Sequence, residues 1–326
     1  MQFQLMQWQN WITRHARLRS LASEPSLRSE LFSVEQLARH AKALADYHRI
    51  VIGRRSNSLL ERLVQNEDTL RSFNFDTLAD HPGRRITPAA EWILDNFYLI
   101  EEQIQIAKRH LPKGYSRELP CLLNSPSAGL PRVFDIVLEL ISHVDAQIDS
   151  ASLSAFVASY QTVDALKLGE LWAIPIMLRL GLIENLQRVA TLLTIARTDR
   201  DIAISWIDRL QGMVEKDPSY LVIVVADMAK SEIPLSSSFV AEFSQRLSRQ
   251  SPLLHLARSW LEQRLVEQGL TIEHLVQQES QTQAANRVSV SHSIASLRFL
   301  SAMDWKAFVE GLSLVDEILR LDPAGV

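Results

Sequence analysis

Cysteine is almost missing from this sequence: among 326 residues there is one, Cys121. A lone thiol makes no internal disulfide and no cysteine-based zinc site, and such sparse use suits a reducing compartment. Glycine is scarce as well, at 10 residues, and the Asn-Gly and Asp-Gly pairs that turn tight hairpins do not occur, which argues against a β-rich fold. No apolar run approaches the ~20 residues that cross a bilayer. The most apolar stretches, 173–183 (interrupted by Arg179) and 221–226, are too short. The first 19 residues carry glutamine and arginine throughout and lack the apolar centre of a secretory signal. The expectation is a cytoplasmic segment with no membrane insertion of its own.

An excess of one charge is lacking too. The formal net charge is −4 and the isoelectric point about 6.2, whereas nucleic-acid binding needs clustered Lys and Arg to neutralise phosphates. Nucleic acid is therefore not an expected partner. The short basic groups at Arg14, His15, Arg17 and Arg19, and at Arg54 and Arg55, read as solvated helix ends. Phosphate-cradling G-x-x-x-x-G-K-[ST] and G-x-G-x-x-G loops, the G-x-S-x-G elbow and the H-E-x-x-H metal motif are all missing, so neither a cofactor nor a metal is expected.

What remains is helical. Apolar residues make up 47% and charged residues 22%, enough to bury a core. Thr87 and Pro88 open the clearest helix, as N-cap and first helical residue, and Ile93, Phe97, Ile100, Ile104, Ala107 and Leu111 follow in one continuous stripe of fours and threes. Glu101, Gln105 and Lys108 face the other way, and Pro112 and Gly114 end the run. Further helices are expected over 34–50 (Leu37, Ala41, Leu44 and Tyr47 on one face), 58–70, 131–144, 152–160, 168–196, 199–214, 219–229, 237–248, 252–268 and 305–321. The run 221–225 is strand-like in composition but sits among helical patterns, and it reads as a buried helix. The fold class is all-α, a multi-helix bundle of packed α-hairpins. A Pro/Gly-rich stretch at 112–131 divides it into an N-terminal helical subdomain, 1–111, and a C-terminal one, 132–326; the polar stretch 277–286 reads as a second linker.

Five groups of residues invite a chemical reading. Asp135, Glu139 and His143 lie one helical turn apart and could offer metal ligands, but the spacing is E-x-x-x-H and not the E-x-x-H of two-metal bundles, and an ordinary helix surface or an i,i+4 pair is the far commoner account. Glu91, Asp95, Tyr98 and Glu102, with Trp92 beside them, form a polar stripe. Paired carboxylates can serve glycoside hydrolysis, while along one helix they are more often a solvated face. Asp199, Arg200 and Asp201 spell the D-x-D that holds a metal on nucleotide sugars, yet here the triplet reads as a helix start, where Asp complements the dipole. Glu170 and Trp172, with Arg179 further on, place an acid in an apolar stretch, as a buried ion pair or as a docking or sugar-binding surface. Tyr115, Arg117 and Glu118 lie in a loop rich in hydrogen-bonding groups.

A series of uncommon words then recurs in one order: TPAAEWILDNF at 87–97, IEEQI at 100–104, LPKGY at 111–115, RELP at 117–120, GLPRV at 129–133, GELWAIP at 169–175, ENL at 184–186, VSV at 288–290, SLR at 296–298, Asp304 with Trp305, and LDPAGV at 321–326. From about residue 30 onward the chain resembles the N-terminal region of cyclic β-1,2-glucan synthases. One position departs, His292, where the family usually has Asn. The resemblance implies a part of a very large bacterial inner-membrane protein that takes glucose from UDP-glucose, builds a linear β-1,2-glucan and closes it into a ring. It also implies that the glycosyltransferase and glycoside-phosphorylase-like domains and the membrane spans come later, and that the family sequence runs on beyond residue 326. No catalytic motif of the family falls within this chain. The partners so implied are the downstream domains of the synthase and β-1,2-glucan. The function expected is a non-catalytic helical module for scaffolding or docking; the alternative is a glycosyl-transferring or glycan-hydrolysing enzyme that uses a carboxylate-rich helix face.

Overall fold

A computed structural model describes residues 27–51, 58–79, 86–111, 119–231, 233–248 and 254–313. Along them run the α-helices α1 (Val34–Tyr47), α2 (Ser58–Leu78), α3 (Pro88–Asp95), α4 (Phe97–His110), α5 (Arg132–His143), α6 (Ser150–Gln161), α7 (Leu168–Lys216), α8 (Leu221–Lys230), α9 (Ser237–Ser248), α10 (His255–Val266), α11 (Ile272–Ala302) and α12 (Trp305–Leu312). Extended structure among the described residues amounts to one antiparallel pair, β1 (Ile50–Val51) and β2 (Cys121–Leu122), with Ile50 opposite Leu122 and Val51 opposite Cys121, and an isolated antiparallel bridge between Cys121 and Pro131. The class is all-α, as the periodicity implies.

The described residues form two compact units, one within 27–190 and 287–313, the other within 191–286. Helices α7 and α11 each contribute residues to both. This division runs elsewhere than the partition drawn at the Pro/Gly-rich stretch. Residues 119–122 and 131 of that stretch are buried, and β2 pairs with β1 from the preceding segment, so its described part belongs inside one unit.

In the first unit, α1 starts with a capping box: the Ser33 hydroxyl accepts from the Gln36 amide while the Gln36 side chain accepts from the Ser33 amide. Leu37, Ala41 and Leu44 are buried as expected, but Tyr47 is exposed. The next step of four beyond Leu44 reaches His48, and it is that ring the stripe buries. The helix expected to run unbroken from Pro88 breaks at Asn96. There the Asn96 side chain donates to the Trp92 carbonyl at 2.9 Å and its Oδ1 accepts from Arg298 Nη2 at 2.5 Å. An asparagine that bonds backbone in this way competes with the helical ladder. Thr87 takes the N-cap position with Pro88 after it, but its side chain makes no capping bond.

Helices α5 and α7 approach closely at Gly181. A β-carbon built there would lie 2.6 Å from Ile141 Cδ1, 3.4 Å from Leu138 Cδ2 and 3.5 Å from Val137 Cγ1. The helices expected over 168–196 and 199–214 are one 49-residue helix. The residues between them carry no glycine or proline, and Thr198 satisfies its hydroxyl on the Thr194 carbonyl at 2.8 Å without leaving the helix. Asp199 therefore lies inside α7 and is buried, not at a helix start, and the dipole explanation for it fails.

The second unit has its own core, with Trp206, Phe239, Phe243, Met228 and Leu261 buried and the two phenylalanine rings stacked at 5.3 Å. The run 221–225 is helical, but it is only half-buried: Leu221, Val224 and Val225 face the core, while Val222 and Ile223 are exposed. The linker read at 277–286 is helical too. It lacks glycine and proline and holds good helix formers such as Gln and Ala. It also anchors a polar cluster, because buried Glu279 accepts from the Ser237 and Ser238 hydroxyls at 2.8 Å each. The stretches 112–118 and 314–326, including Tyr115, Arg117, Glu118 and the final LDPAGV word, lie outside the described residues, as do both basic groups.

The close approach at Gly181 makes a prediction. Gly181→Val gains helix propensity but drives two methyl groups into a filled α5–α7 contact, so it lowers stability by about 1–3 kcal/mol, the usual cost of overpacking. Urea unfolding monitored by circular dichroism measures it, with an unchanged or raised midpoint as the contrary result.

Candidate functional site

The carboxylates singled out in the sequence divide into exposed and buried sets. Glu91, Asp95 and Glu102 on α3 and α4 are exposed, and so are Trp92 and Tyr98, the tyrosine at 66%. The stripe is carried by two short helices instead of one, with the break at Asn96 inside it. Trp172, in the first turns of α7, is exposed at 46%.

Glu170 is not on that surface. It is buried and receives two bonds from one guanidinium, Arg132 Nε to Oε1 and Nη2 to Oε2, both at 2.8 Å. Arg132 is itself 1% exposed and also donates to the Ala165 carbonyl at 2.9 Å and to the Asp164 carboxylate. Burial works against the Arg132 charge, but the hydrogen bonds and charge of Glu170 outweigh it and hold the guanidinium more firmly protonated than usual. Glu170 closes the arrangement by accepting from the Lys167 amide at 3.0 Å, which caps the start of α7. Arg179 is turned inward as well: Nε donates to Gln103 Oε1 at 3.0 Å and Nη1 to the Pro175 carbonyl at 3.3 Å, and burial pushes its pKa down.

Further buried polar groups lie in the same unit. Glu184 takes two bonds from Arg62, at 2.7 and 2.5 Å, and one from Arg188 at 2.6 Å. Asn185 donates to the Ser289 and Ser293 hydroxyls at 2.9 and 3.0 Å and accepts from the Leu27 amide at 3.2 Å. His48 bridges Tyr160, 2.9 Å from its hydroxyl, to Asp135 Oδ2 at 3.0 Å. All three side chains of that relay are buried, and burial pushes the Tyr160 hydroxyl up to about 12. The Asp135–His48–Tyr160 chain therefore lies within the packed interior.

The metal-ligand stripe read along α5 separates in the structure. Asp135 turns to His48, while Glu139 and His143 are joined by His40 from α1, whose Nε2 lies 2.8 Å from Glu139 Oε2. His143 Nε2 lies 3.5 Å from the same oxygen, and its Nδ1 is 2.7 Å from the Glu30 carbonyl. The Phe32 ring stacks on His143 at 3.8 Å, and the His40 ring meets His143 edge-on at 4.6 Å. These three residues are the group within reach of one ion among the described residues.

Sequence reasoning missed His40 and Arg132 for the same reason: their partners lie 99 and 38 residues away, and no local spacing marks the pair. One signal was available for Arg132. It is a charged residue between apolar neighbours at the start of a helix, and it needs a counter-charge.

No protein-family model matches this chain. Among curated proteins it is similar to the cyclic beta-(1,2)-glucan synthase NdvB of Rhizobium meliloti (strain 1021), with 29% identity over 314 residues. The match covers 96% of this chain and 11% of that protein, so the similarity is to a part of the synthase. The family resemblance read from the ordered words is thus met by a relative that aligns over nearly the whole chain.

The Glu184 cluster predicts an acid-side response. Burial alone would raise the Glu184 pKa, but hydrogen bonds and charge from Arg62 and Arg188 bring it below the ordinary carboxylate value. A lowered folded-state pKa gives stability that is full above the unfolded-state value and is lost as pH falls through the folded one. Below about pH 4.5 the wild type therefore loses stability faster than Glu184→Gln does. Thermal melts of both proteins between pH 3 and 7 test this, and parallel curves would contradict it.

Proposed function

We propose that this chain is an N-terminal helical module of a cyclic β-1,2-glucan synthase, non-catalytic in itself, and that it docks the downstream domains of that protein on the cytoplasmic side of the inner membrane. The observation that carries this reading is the similarity, over nearly the whole chain, to a small part of a glucan synthase. Three further observations support it. Glu170 and Glu184 are held by arginines in the core and offer no carboxylate to a substrate. Among the described residues no helix is long and apolar enough to cross a membrane. The exposed face of α3 and α4 sets Trp92 and Tyr98 among Glu91, Asp95 and Glu102, a combination that suits a protein or glycan contact in which rigid amphipathic rings supply the anchor.

In this reading the synthase's activity on UDP-glucose belongs to its other domains, and the module positions them. Growing β-1,2-glucan is the second ligand the face would suit, by stacking of the rings on sugar.

The experiment measures binding of the purified chain to the remainder of a synthase lacking the matching segment and, separately, to linear β-1,2-glucan, with UDP-glucose turnover followed in parallel. Expected are saturable binding to the synthase remainder, weakened about ten-fold or more by Trp92→Ala or Tyr98→Ala, and no turnover. Turnover by the isolated chain that disappears in Glu91→Ala would establish the enzyme reading instead.

A further inference from the structure

The cluster at the contact of α1 and α5 has a hydrogen-bonding pattern that a cation completes. The Glu30 carbonyl only accepts, so His143 Nδ1, 2.7 Å away, carries the hydrogen and donates. In the neutral ring this leaves a lone pair on Nε2, which lies 3.5 Å from Glu139 Oε2, itself an acceptor. The same oxygen lies 2.8 Å from His40 Nε2. Two imidazole nitrogens thus converge on one carboxylate oxygen, and a metal ion placed among the three would take a lone pair from each.

We propose that His40, Glu139 and His143 bind one zinc ion. Three potential ligand atoms lie within 4.8 Å of one another. A tetrahedral zinc with bonds of about 2.0–2.1 Å spaces its ligands at about 3.3 Å. The His143–Glu139 separation is already close to that value, and the His40–Glu139 one opens by a few tenths of an ångström once the bridging proton leaves. Two imidazoles and one carboxylate suit zinc over magnesium or calcium, which prefer oxygen throughout.

The surroundings are those of a built site. Ligating histidines commonly donate their second nitrogen to a carbonyl, which fixes the ring, and the Glu30 carbonyl does this for His143. Glu30 is held in turn, because the Ser29 and Phe32 amides donate to the Ser142 and His143 carbonyls at 3.0 Å each, capping the end of α5. Phe32 covers one face of the His143 ring. The side chains of His143, His40 and Glu139 are 10%, 27% and 35% exposed, so solvent reaches the cluster and a water can take a fourth position. The ion would tie α1 to α5 and would act independently of any glucan contact.

The test uses the full chain, freed of metal by dialysis against a chelator. Zinc titration by calorimetry should show one tight equivalent, and cobalt(II) should give the visible absorption of a four-coordinate complex. His40→Ala and His143→Ala should each weaken zinc by more than about 100-fold, beyond the 10–100-fold that outer partners cost. Zinc should raise the melting temperature of the wild type and not of the variants. His143→Ala also removes ring stacking, so Glu139→Gln, nearly the same in shape, serves as the second variant; its metal-free melt should match the wild type while its zinc affinity falls. The chain has 9 histidines, so equal affinity in the wild type and all three variants would assign binding to other histidines and overturn the proposal. A chain with no saturable equivalent would overturn it as well.

Discussion

A guanidinium with almost no contact with water has to be matched by charge, and Arg132 is matched by Glu170. Removing either partner would strand the other in the core, whereas the pair with its extra hydrogen bonds is tolerated. Much of the larger unit hangs from that clamp. It joins the first residue of α5 to the first turn of α7 and to the connection before it, through Asp164 and Ala165. With the start of α5 fixed, Gly181 of α7 lies against Val137, Leu138 and Ile141, and Asp135 is turned toward His48. His48 in turn reaches Tyr160, whose ring has the Arg132 guanidinium 5.9 Å from its centre. Further along α5, Glu139 and His143 are presented to His40. The buried ion pair thus joins α5 to α7 at the start of α5, while the packing at Gly181 and the cluster with His40 lie further along the same helix.

How much of this could be read in the sequence follows from the range of each interaction. Helix 237–248 matches its expected bounds, and its start is marked locally, where the Ser236 hydroxyl accepts from the Phe239 amide. The capping box at Ser33 and the proline at Pro88 are also local, and they mark real helix starts. What fails is of two kinds. Polar stretches such as 277–286 read as linkers because their composition resembles that of turns, although helix formers without glycine or proline propagate well on a solvated face. Contacts between residues far apart in sequence leave no periodic trace. Glu170 was visible as an acid in an apolar stretch, but Arg132 was not visible as its partner. Asp135, Glu139 and His143 were visible as a stripe, but not that the first turns to His48 while the other two turn to His40.

The functional consequence lies in what the buried acids cannot do. Glu170 and Glu184, the acids deepest in the apolar part of α7, are each fully engaged by arginine. Glu91, Asp95 and Glu102 are exposed on α3 and α4, and so are Trp92 and Tyr98 of the same two helices. The chain is similar over nearly its whole length to a small part of a glucan synthase, its core acids serve as counter-charges to arginines, and aromatic and acidic side chains of α3 and α4 are exposed; the docking role proposed above rests on these three observations.

The most direct measurement is a double-mutant cycle on the clamp, with Arg132→Met, Glu170→Leu and the pair of them unfolded in urea. If Arg132 and Glu170 neutralise each other in the core, each single variant loses about 3–5 kcal/mol, and the double variant loses clearly less than the sum, because it strands no charge. Small losses that simply add would contradict this. They would mean that Glu170 is not held as a structural counter-charge, and that its carboxylate is available for chemistry after all.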